Sequence, residues 1–321
     1  MRFLWAIHLY PPKHCAGAEF MAHTINRFLI SKGHQVRVIH YDAEKYRIKS
    51  MYEFEGVQVF TSEHERVLFE WADVVLTHLD YSKKAIWTAA QYEKRCYWLA
   101  HNDIPYNSVL GGVGDLRVIY NAQWVADKLN YKWPSFVFPP PVDDWYKCDD
   151  KGRRYITLIN LNDNKGANYF YSLAKKLPQF QFLGVKGSYD GQIIQNLPNV
   201  TIWPNTHYIR KVYEVSKIVL MPSHYESWGK VASEAMLNGI PVIANPTPGL
   251  KENVGKGGIL INRKETGKWA AVITKLMEDA KYYDKWSKAA LKRSKEQVPE
   301  WEKLHEFLQL TKPTINPTPI Q

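Results

Sequence analysis

The chain has 321 residues, of which 45% are hydrophobic and 23% charged, the composition of a globular protein long enough for two domains. Its three cysteines, Cys15, Cys96 and Cys148, are scattered and odd in number, which argues against a disulfide framework and a Cys/His metal motif and predicts a cytoplasmic chain with reduced thiols. No apolar run reaches the roughly 18 residues of a membrane span.

The formal net charge of +10 is distributed unevenly. Residues 1–145 contain 16 Lys and Arg against 16 Asp and Glu, whereas residues 146–321 contain 26 against 16. The excess positive charge therefore lies in the second half, which suits an anionic ligand or surface there.

The first half alternates short apolar runs with helical stretches, which predicts a parallel sheet. Residues 2–8 are strand-like, a helix opens near Gly17 and closes at Gly33, and residues 35–40 form the next strand. Further strands are predicted at 57–60, 74–77 and 96–100. The last of these ends at His101, at the edge of a parallel sheet where ligands bind. Taken alone, a histidine there is more often structural than functional.

The Pro-, Asp- and Lys-rich stretch at 142–154 reads as a linker. We predict an N-terminal domain at 1–145 and a C-terminal domain at 152–296. The second domain begins with a strand at 155–159, followed by Asn160 and a loop to Lys165 and a helix. A lysine at a strand end can pair with a phosphate as a point charge.

The most informative stretch is residues 218–244, which read as strand, loop, helix, turn and strand. Backbone N–H groups near Trp228, Gly229 and Lys230 would point out of the helix start, which suits a phosphate. Glu226 and Glu234 would lie about 11 Å apart along the helix, one at each end of an extended ligand with a diphosphate between them. A nucleotide sugar has that shape. The alternative is that Glu226 caps the helix and Glu234 is a surface acid.

The same stretch resembles the donor-site signature of retaining glycosyltransferases of the GT-B fold, glycosyltransferase family 4 type, which includes sucrose synthase and bacterial mannosyl- and glucosyltransferases. Gly17-Ala18-Glu19 and Gly33-His34-Gln35-Val36 resemble the N-terminal pattern of that family. Trp228 departs from it, because Phe is usual there. The matching positions of the signature are Pro222, Ser223, Glu226, Ser227, Trp228, Gly229, Glu234, Ala235, Gly239, Pro241 and Val242.

The resemblance implies an α/β GT-B fold, with two Rossmann-like doubly wound domains and an interdomain cleft. It implies sugar transfer with retention from a UDP- or GDP-sugar substrate, with no cofactor and no metal. The implied catalytic residues are His101, Glu226 and Lys165. The implied donor-binding residues are Gly17, Asn160, Lys165, Gly184, Lys186, Glu226, Ser227, Trp228, Gly229, Lys230, Val231 and Glu234.

One expected phosphate cation is missing, because Asn160-Leu161 stands where the family usually has Gly-Arg. Lys230 or Arg210 is a hypothetical substitute. An inactive relative that binds only nucleotide or polyanion is therefore the alternative to an enzyme. A sugar-nucleotide epimerase on a similar fold is disfavoured, because the glutamate pattern is not typical of that class.

Residues 265–310 are predicted to be helical, with 297–310 as a terminal helix crossing back to the first domain and 311–321 as a disordered tail. Five lysines share one helix face, which is either a solvated surface or a contact for a polyanion or anionic membrane. Candidate acceptors are a surface glycan, a lipid-linked sugar, or a hydroxymethylated DNA base, as for viral enzymes, which would have to be flipped out. The five lysines are Lys281, Lys285, Lys288, Lys292 and Lys295.

Overall fold

The computed structural model describes residues 1–44, 46, 48, 51–105, 113–188 and 191–309. The chain divides into two compact units, Met1–Pro140 with the segment that begins at Glu300, and Pro141–Pro299. The tail predicted at 311–321 lies outside the described residues, as does residue 310 at the predicted end of the terminal helix.

The first unit is built on an eight-stranded sheet. Its central strands are buried along nearly their whole length, as in parallel sheets covered on both faces. The strands are β1 (Arg2–Ile7), β2 (Gln35–His40), β3 (Tyr52–Phe54), β4 (Val57–Thr61), β5 (Val74–His78), β6 (Arg95–Ala100), β7 (Leu116–Tyr120) and β8 (Ser135–Val137).

The strand order is β3-β4-β2-β1-β5-β6-β7-β8, and every pair is parallel except β3 with β4. That antiparallel edge hairpin turns at Glu55 and Gly56, both with positive φ, and was not predicted from the sequence. The helices that follow the strands are α1 (Gly17–Ser31), α2 (Glu65–Trp71), α3 (Ser82–Gln91) and α4 (Gln123–Leu129).

The second unit is built on a six-stranded parallel sheet. Its strands are β9 (Tyr155–Ile159), β10 (Phe182–Val185), β11 (Val200–Trp203), β12 (Ser216–Met221), β13 (Val242–Ala244) and β14 (Ile259–Leu260), in the order β11-β10-β9-β12-β13-β14. Its helices are α5 (Ala167–Lys176), α6 (Arg210–Val215), α7 (Lys230–Leu237), α8 (Pro248–Val254), α9 (Thr266–Glu278) and α10 (Ala280–Glu296).

Two helices in the second unit differ from the sequence-based expectation. Helix α7 begins at Lys230 and not at Trp228, because Gly229 adopts a left-handed conformation with φ of 83° and cannot continue the helix backwards. Helix α8 was not predicted from the sequence. Its start has ordinary signals, since the Thr247 hydroxyl accepts a hydrogen bond from the Leu250 amide and Pro248 occupies the first turn.

The C-terminal helix α11 (Trp301–Gln309) belongs to the first unit. It buries Leu304, Phe307 and Leu308 in the hydrophobic core of that unit, and the Tyr97 hydroxyl donates to the Phe307 carbonyl at 2.6 Å. Among the described residues, no helix combines the length and the apolar character that a membrane crossing would need.

Candidate functional site

The candidate donor site of the second unit lies where β9 and β12 end. These strands are parallel neighbours, so their carboxyl ends meet at one edge of the sheet. Asn164 joins the two loops that follow. Its carbonyl accepts from the His224 amide at 2.8 Å, its side-chain oxygen accepts from the Tyr225 amide, and its side-chain nitrogen donates to the Tyr225 carbonyl. The loop that carries Lys165 is therefore held against the loop that carries Glu226.

Lys165 and Glu226 form an ion pair in this edge, with 2.6 Å between Nζ and Oε1. The Ser223 hydroxyl donates to the same carboxylate oxygen at 2.9 Å, so Glu226 is buried with two partners. The Lys165 side chain remains 28% exposed. Close approach of the loops depends on Gly166, where a Cβ would lie 2.7 Å from the Pro222 carbonyl oxygen. The ammonium is thus partly open to an anionic ligand.

The start of α7 is packed against α8 on one side. The Asn253 side chain donates to the carbonyls of Trp228 and Gly229 at 3.1 and 2.9 Å, and a Cβ at Gly229 would lie 2.7 Å from Leu250. Trp228, Gly229 and Lys230 are buried. Ser227 and Val231 are partly exposed, and these two residues are the accessible part of the helix start.

Glu234 is buried, so the alternative that it is a surface acid is wrong. It is 6% exposed, its Oε1 lies 2.6 Å from Lys230 Nζ, and its Oε2 accepts from the Tyr213 hydroxyl at 2.5 Å. The Lys230 ammonium also lies 3.7 Å from the centroid of the Tyr146 ring. A ligand hydroxyl would therefore meet a carboxylate that already has a fixed orientation.

The pKa values of this group follow from burial and pairing. Burial alone would lower the pKa of Lys230, but the Glu234 carboxylate and Tyr146 raise it above its ordinary value. Burial and the adjacent Glu234 raise the pKa of Tyr213 well above its usual range. Lys230 therefore stays charged and Tyr213 stays a hydrogen-bond donor across the physiological pH range.

The alternative that Glu226 caps α7 is wrong, because Gly229 is the N-cap residue of this helix.

Asn160 follows β9 in a left-handed conformation with φ of 71°. Gln192, which sequence reasoning missed, holds it: the Gln192 amide nitrogen donates to Asn160 Oδ1 at 2.9 Å. The Gln192 side-chain oxygen accepts from the amides of Leu161 and Gly187 at 2.9 and 2.8 Å. No sequence signal marks Gln192, since it lies in an irregular segment far from Asn160 along the chain.

Two of the predicted donor residues lie on or beyond β10. Gly184 is buried inside the strand, where a Cβ would meet Leu161 and Ile202 at 2.9 and 3.0 Å, so packing alone explains the glycine. Lys186 follows the strand and is exposed. The assignment of both residues to donor binding stays a prediction.

The expected cation next to Asn160 is replaced by a core residue. Leu161 is fully buried and belongs to the hydrophobic core of the second unit. Of the two hypothetical substitutes, Lys230 is committed to Glu234, and the Arg210 guanidinium lies 5.2 Å from the centroid of the Trp145 ring. Lys165 is therefore the partly exposed cation that the structure places at the ends of β9 and β12.

In the first unit, His101 follows β6 and belongs to a group of histidines. Its Nε2 lies 3.1 Å from Nδ1 of His78, and burial lowers the pKa of His101 to about 4. His78 packs against His8 at 5.7 Å between ring centroids. Gly17 lies at the exposed start of α1. His101 and Gly17 were predicted from the sequence, whereas His8 and His78 were not, although His8 follows the last residue of β1 and His78 is the last residue of β5.

The lysine face predicted on α10 is present and exposed at all five positions, Lys281, Lys285, Lys288, Lys292 and Lys295. Arg293 on the same helix points elsewhere, since its guanidinium donates to the carbonyls of Asn253 and Glu252 at 2.8 and 2.7 Å. Arg293 thus connects α10 to residues at the end of α8, whereas the five lysines remain at the surface.

A family profile described as "Glycosyl transferases group 1" matches residues 147–293, which cover nearly the whole second unit and contain Lys165, Glu226 and Glu234. The second unit of the chain is therefore similar to the group 1 glycosyltransferases.

Curated relatives match only part of the chain. A D-inositol 3-phosphate glycosyltransferase of Nocardioides sp. is 24% identical over 147 residues, which are 45% of this chain and 31% of the relative. The protein of that name from Corynebacterium jeikeium is 43% identical over 70 residues, 21% of this chain and 17% of the relative. The chain thus matches less than a third of the length of these relatives.

Solved structures match the chain over nearly its whole length. The Anabaena protein HepE, solved in complex with UDP and glucose, has a TM-score of 0.74 at 18% identity and covers 95% of this chain and 98% of its own. Sucrose-phosphate synthase from Thermosynechococcus elongatus has a TM-score of 0.72 at 15% identity, with 95% and 96% covered. At such low identity the likeness establishes the fold, which is GT-B as the sequence predicted.

Proposed function

We propose that this chain is a retaining glycosyltransferase that transfers a sugar from a UDP-sugar to a hydroxyl acceptor. The observation that carries the proposal is the Lys165–Glu226 pair at the ends of β9 and β12, beside the start of α7. A cation, a hydrogen-bonding carboxylate and a helix start are the groups that a sugar diphosphate needs. The HepE structures, solved with UDP, with UDP and glucose and with UDP-glucose, support UDP as the nucleotide.

Each group has a distinct role in the proposed reaction. Lys165 would leave Glu226 in part to bind the diphosphate and stabilise the charge that develops as it departs. Glu226 would then accept hydrogen bonds from hydroxyls of the donor sugar, and Glu234 from the ribose. The acceptor would attack the face from which the diphosphate leaves, with a donor phosphate oxygen as the base, so the transfer would need no protein nucleophile and no metal at the phosphates. His101 would contact the sugar as a neutral ring, since its pKa lies near 4.

The acceptor class is proposed to be a surface glycan or a lipid-linked sugar. The exposed lysine face of α10 would then lie against anionic lipid and keep the protein at a membrane surface. The same face would fit duplex DNA that carries a hydroxymethylated base. Salt-sensitive retention on such DNA, with sugar incorporated into it, would favour the second acceptor class.

The missing cation at Leu161 favours one further candidate, a relative that binds a nucleotide and does not turn it over. A thermal-shift screen over UDP-, GDP- and ADP-sugars tests binding, because a ligand of the folded state raises the melting temperature. Release of free UDP from the stabilising donor then tests turnover. A shift with slow UDP release supports the transferase, a shift without release supports the inactive relative, and the absence of any shift contradicts both.

A further inference from the structure

Three side chains with the chemistry of metal ligands converge inside the first unit, and none of them belongs to the proposed donor-binding or catalytic residues. His8 follows the last residue of β1, His14 lies in the next loop, and Glu19 lies in the first turn of α1. Their candidate ligand atoms, two imidazole nitrogens and a carboxylate oxygen, all lie within 4.8 Å of one another. All three residues are buried, with 4%, 3% and 0% exposure.

The spacing of these atoms is close to that of a metal site. His8 Nε2 lies 2.7 Å from Glu19 Oε1, and His14 Nε2 lies 4.0 Å from the same oxygen. Zinc binds imidazole nitrogen and carboxylate oxygen at about 2.0–2.2 Å, so tetrahedral ligand atoms are roughly 3.3 Å apart. The two observed distances fall on either side of that value. An ion between these groups would require side-chain shifts of about an ångström.

The ligand set and its surroundings match the same chemistry. Two imidazoles and one carboxylate are typical of Zn²⁺ and of neighbouring first-row divalent ions. The Glu19 carboxylate is fully buried between two imidazoles, and an ion would add positive charge beside it. His78 packs against His8, and among the described residues its Nε2 has no hydrogen-bond partner. It offers a polar nitrogen beside the three ligands, of the kind that orients ligands or a bound water in metal sites.

We propose that His8, His14 and Glu19 form a binding site for a first-row divalent metal ion, with Zn²⁺ the best match, and with a coordination position left for water or a ligand oxygen. The ion would tie the end of β1 and the following loop to the start of α1. None of the three ligands is Lys165, Glu226, Glu234 or His101, so metal binding can be tested separately from the proposed transfer reaction.

The test uses the full chain without a histidine tag, stripped of metal by a chelator. Zn²⁺ is titrated in competition with a colorimetric zinc chelator, and the melting temperature is measured with and without Zn²⁺. We expect about one equivalent of tightly bound Zn²⁺ and a raised melting temperature. Glu19→Gln and His14→Ala should each weaken binding by about 100-fold or more, since each removes a direct ligand. His64→Ala, a partly exposed histidine of the same unit, should bind like the wild type.

Three results would overturn the proposal: less than about a tenth of an equivalent bound to the wild type, equal loss in His64→Ala, or full binding in both ligand variants. Circular dichroism checks that the variants fold. If they do not, X-ray absorption of the Zn²⁺-loaded wild type decides. A shell with two imidazoles and oxygen supports the site, whereas a shell of oxygen alone marks a surface ion and contradicts it.

Discussion

The Lys165 ammonium lies 2.6 Å from the Glu226 carboxylate across the ends of two adjacent parallel strands. The pair is asymmetric, because Glu226 is 7% exposed and hydrogen-bonded to Ser223, whereas the Lys165 side chain is 28% exposed. The lysine is therefore the member that can turn to a ligand while the carboxylate stays in place.

Replacing Lys165 by alanine should weaken UDP binding by about 10- to 100-fold, since a hydrogen bond to a charged group contributes about 1.5–3 kcal/mol. Isothermal titration with UDP measures the change in Kd. The matched control is Lys175→Ala, an exposed lysine in the last turn of α5, which should leave Kd unchanged. An unchanged Kd in Lys165→Ala would refute the assignment of this lysine to the phosphates.

The buried pair Lys230–Glu234 makes a prediction about stability. Glu234→Gln leaves a buried ammonium without its counter-charge, so it should lower the free energy of unfolding by about 3 kcal/mol. The double variant Lys230→Met, Glu234→Gln removes both charges and should lose less than the single variant. Chemical denaturation measures both values. If the double variant were the less stable of the two, the pair would not be energetically coupled in this way.

A comparison of alanine substitutions at Gly229 and Gly191 distinguishes the cost of backbone strain from the cost of steric overlap. It has φ of 83°, and a Cβ would lie 2.7 Å from Leu250. Gly191 has φ of 79° with nothing within 4 Å of its Cβ position. Gly191→Ala should therefore cost only the left-handed conformation, about 1–2 kcal/mol, whereas Gly229→Ala should cost about 1–3 kcal/mol more. Denaturation curves of both variants give the difference, and equal losses would mean that Leu250 moves aside freely.

Much of the fold could be predicted because buried parallel strands appear as continuous apolar runs between helical stretches. The bounds of β2 and β9 are as expected, and most others moved by one or two residues. The hairpin of β3 and β4 was not predicted because β3 has only three residues and lies at the sheet edge. None of these residues is fully buried, so the strand shows no clear pattern of apolar residues in the sequence. Helix α8 was missed because a seven-residue helix with Pro and Gly in its first turn resembles a loop in composition.

The candidate site was predictable where its residues are close in sequence and much less so elsewhere. Glu226 and Glu234 belong to one motif and could be singled out together. The ion pair of Lys165 with Glu226 was not predicted, because it depends on the adjacency of β9 and β12. The burial of Glu234 under Tyr213 depends on packing between separate elements, which spacing does not encode. Gln192 and the grouping of His8, His14 and Glu19 depend on loop paths, and no periodic pattern marks such contacts.

The last prediction concerns acid sensitivity and rests on His40 at the end of β2. Its side chain is fully buried, and among the described residues neither ring nitrogen has a hydrogen-bond partner. Burial lowers the pKa of His40 to about 4, against a smaller opposing effect of Asp42. Between pH 6.5 and 4 the unfolded chain therefore binds the proton and the folded chain does not. The stability contributed by neutral His40 is present above pH 6.5 and is lost as the pH falls toward 4.

Replacing His40 by leucine removes this titration together with the two unpaired ring nitrogens at this position, so the protein at pH 7 should be as stable as the wild type or more so. The fall in melting temperature between pH 7 and pH 5 should be smaller than in the wild type by about 3 °C. Part of the fall should remain, because burial also lowers the pKa values of His78 and His14. His64→Leu, which changes a partly exposed histidine, serves as the control and should keep the wild-type pH dependence. If His40→Leu lost as much melting temperature between pH 7 and pH 5 as the wild type, His40 would not contribute to the acid sensitivity.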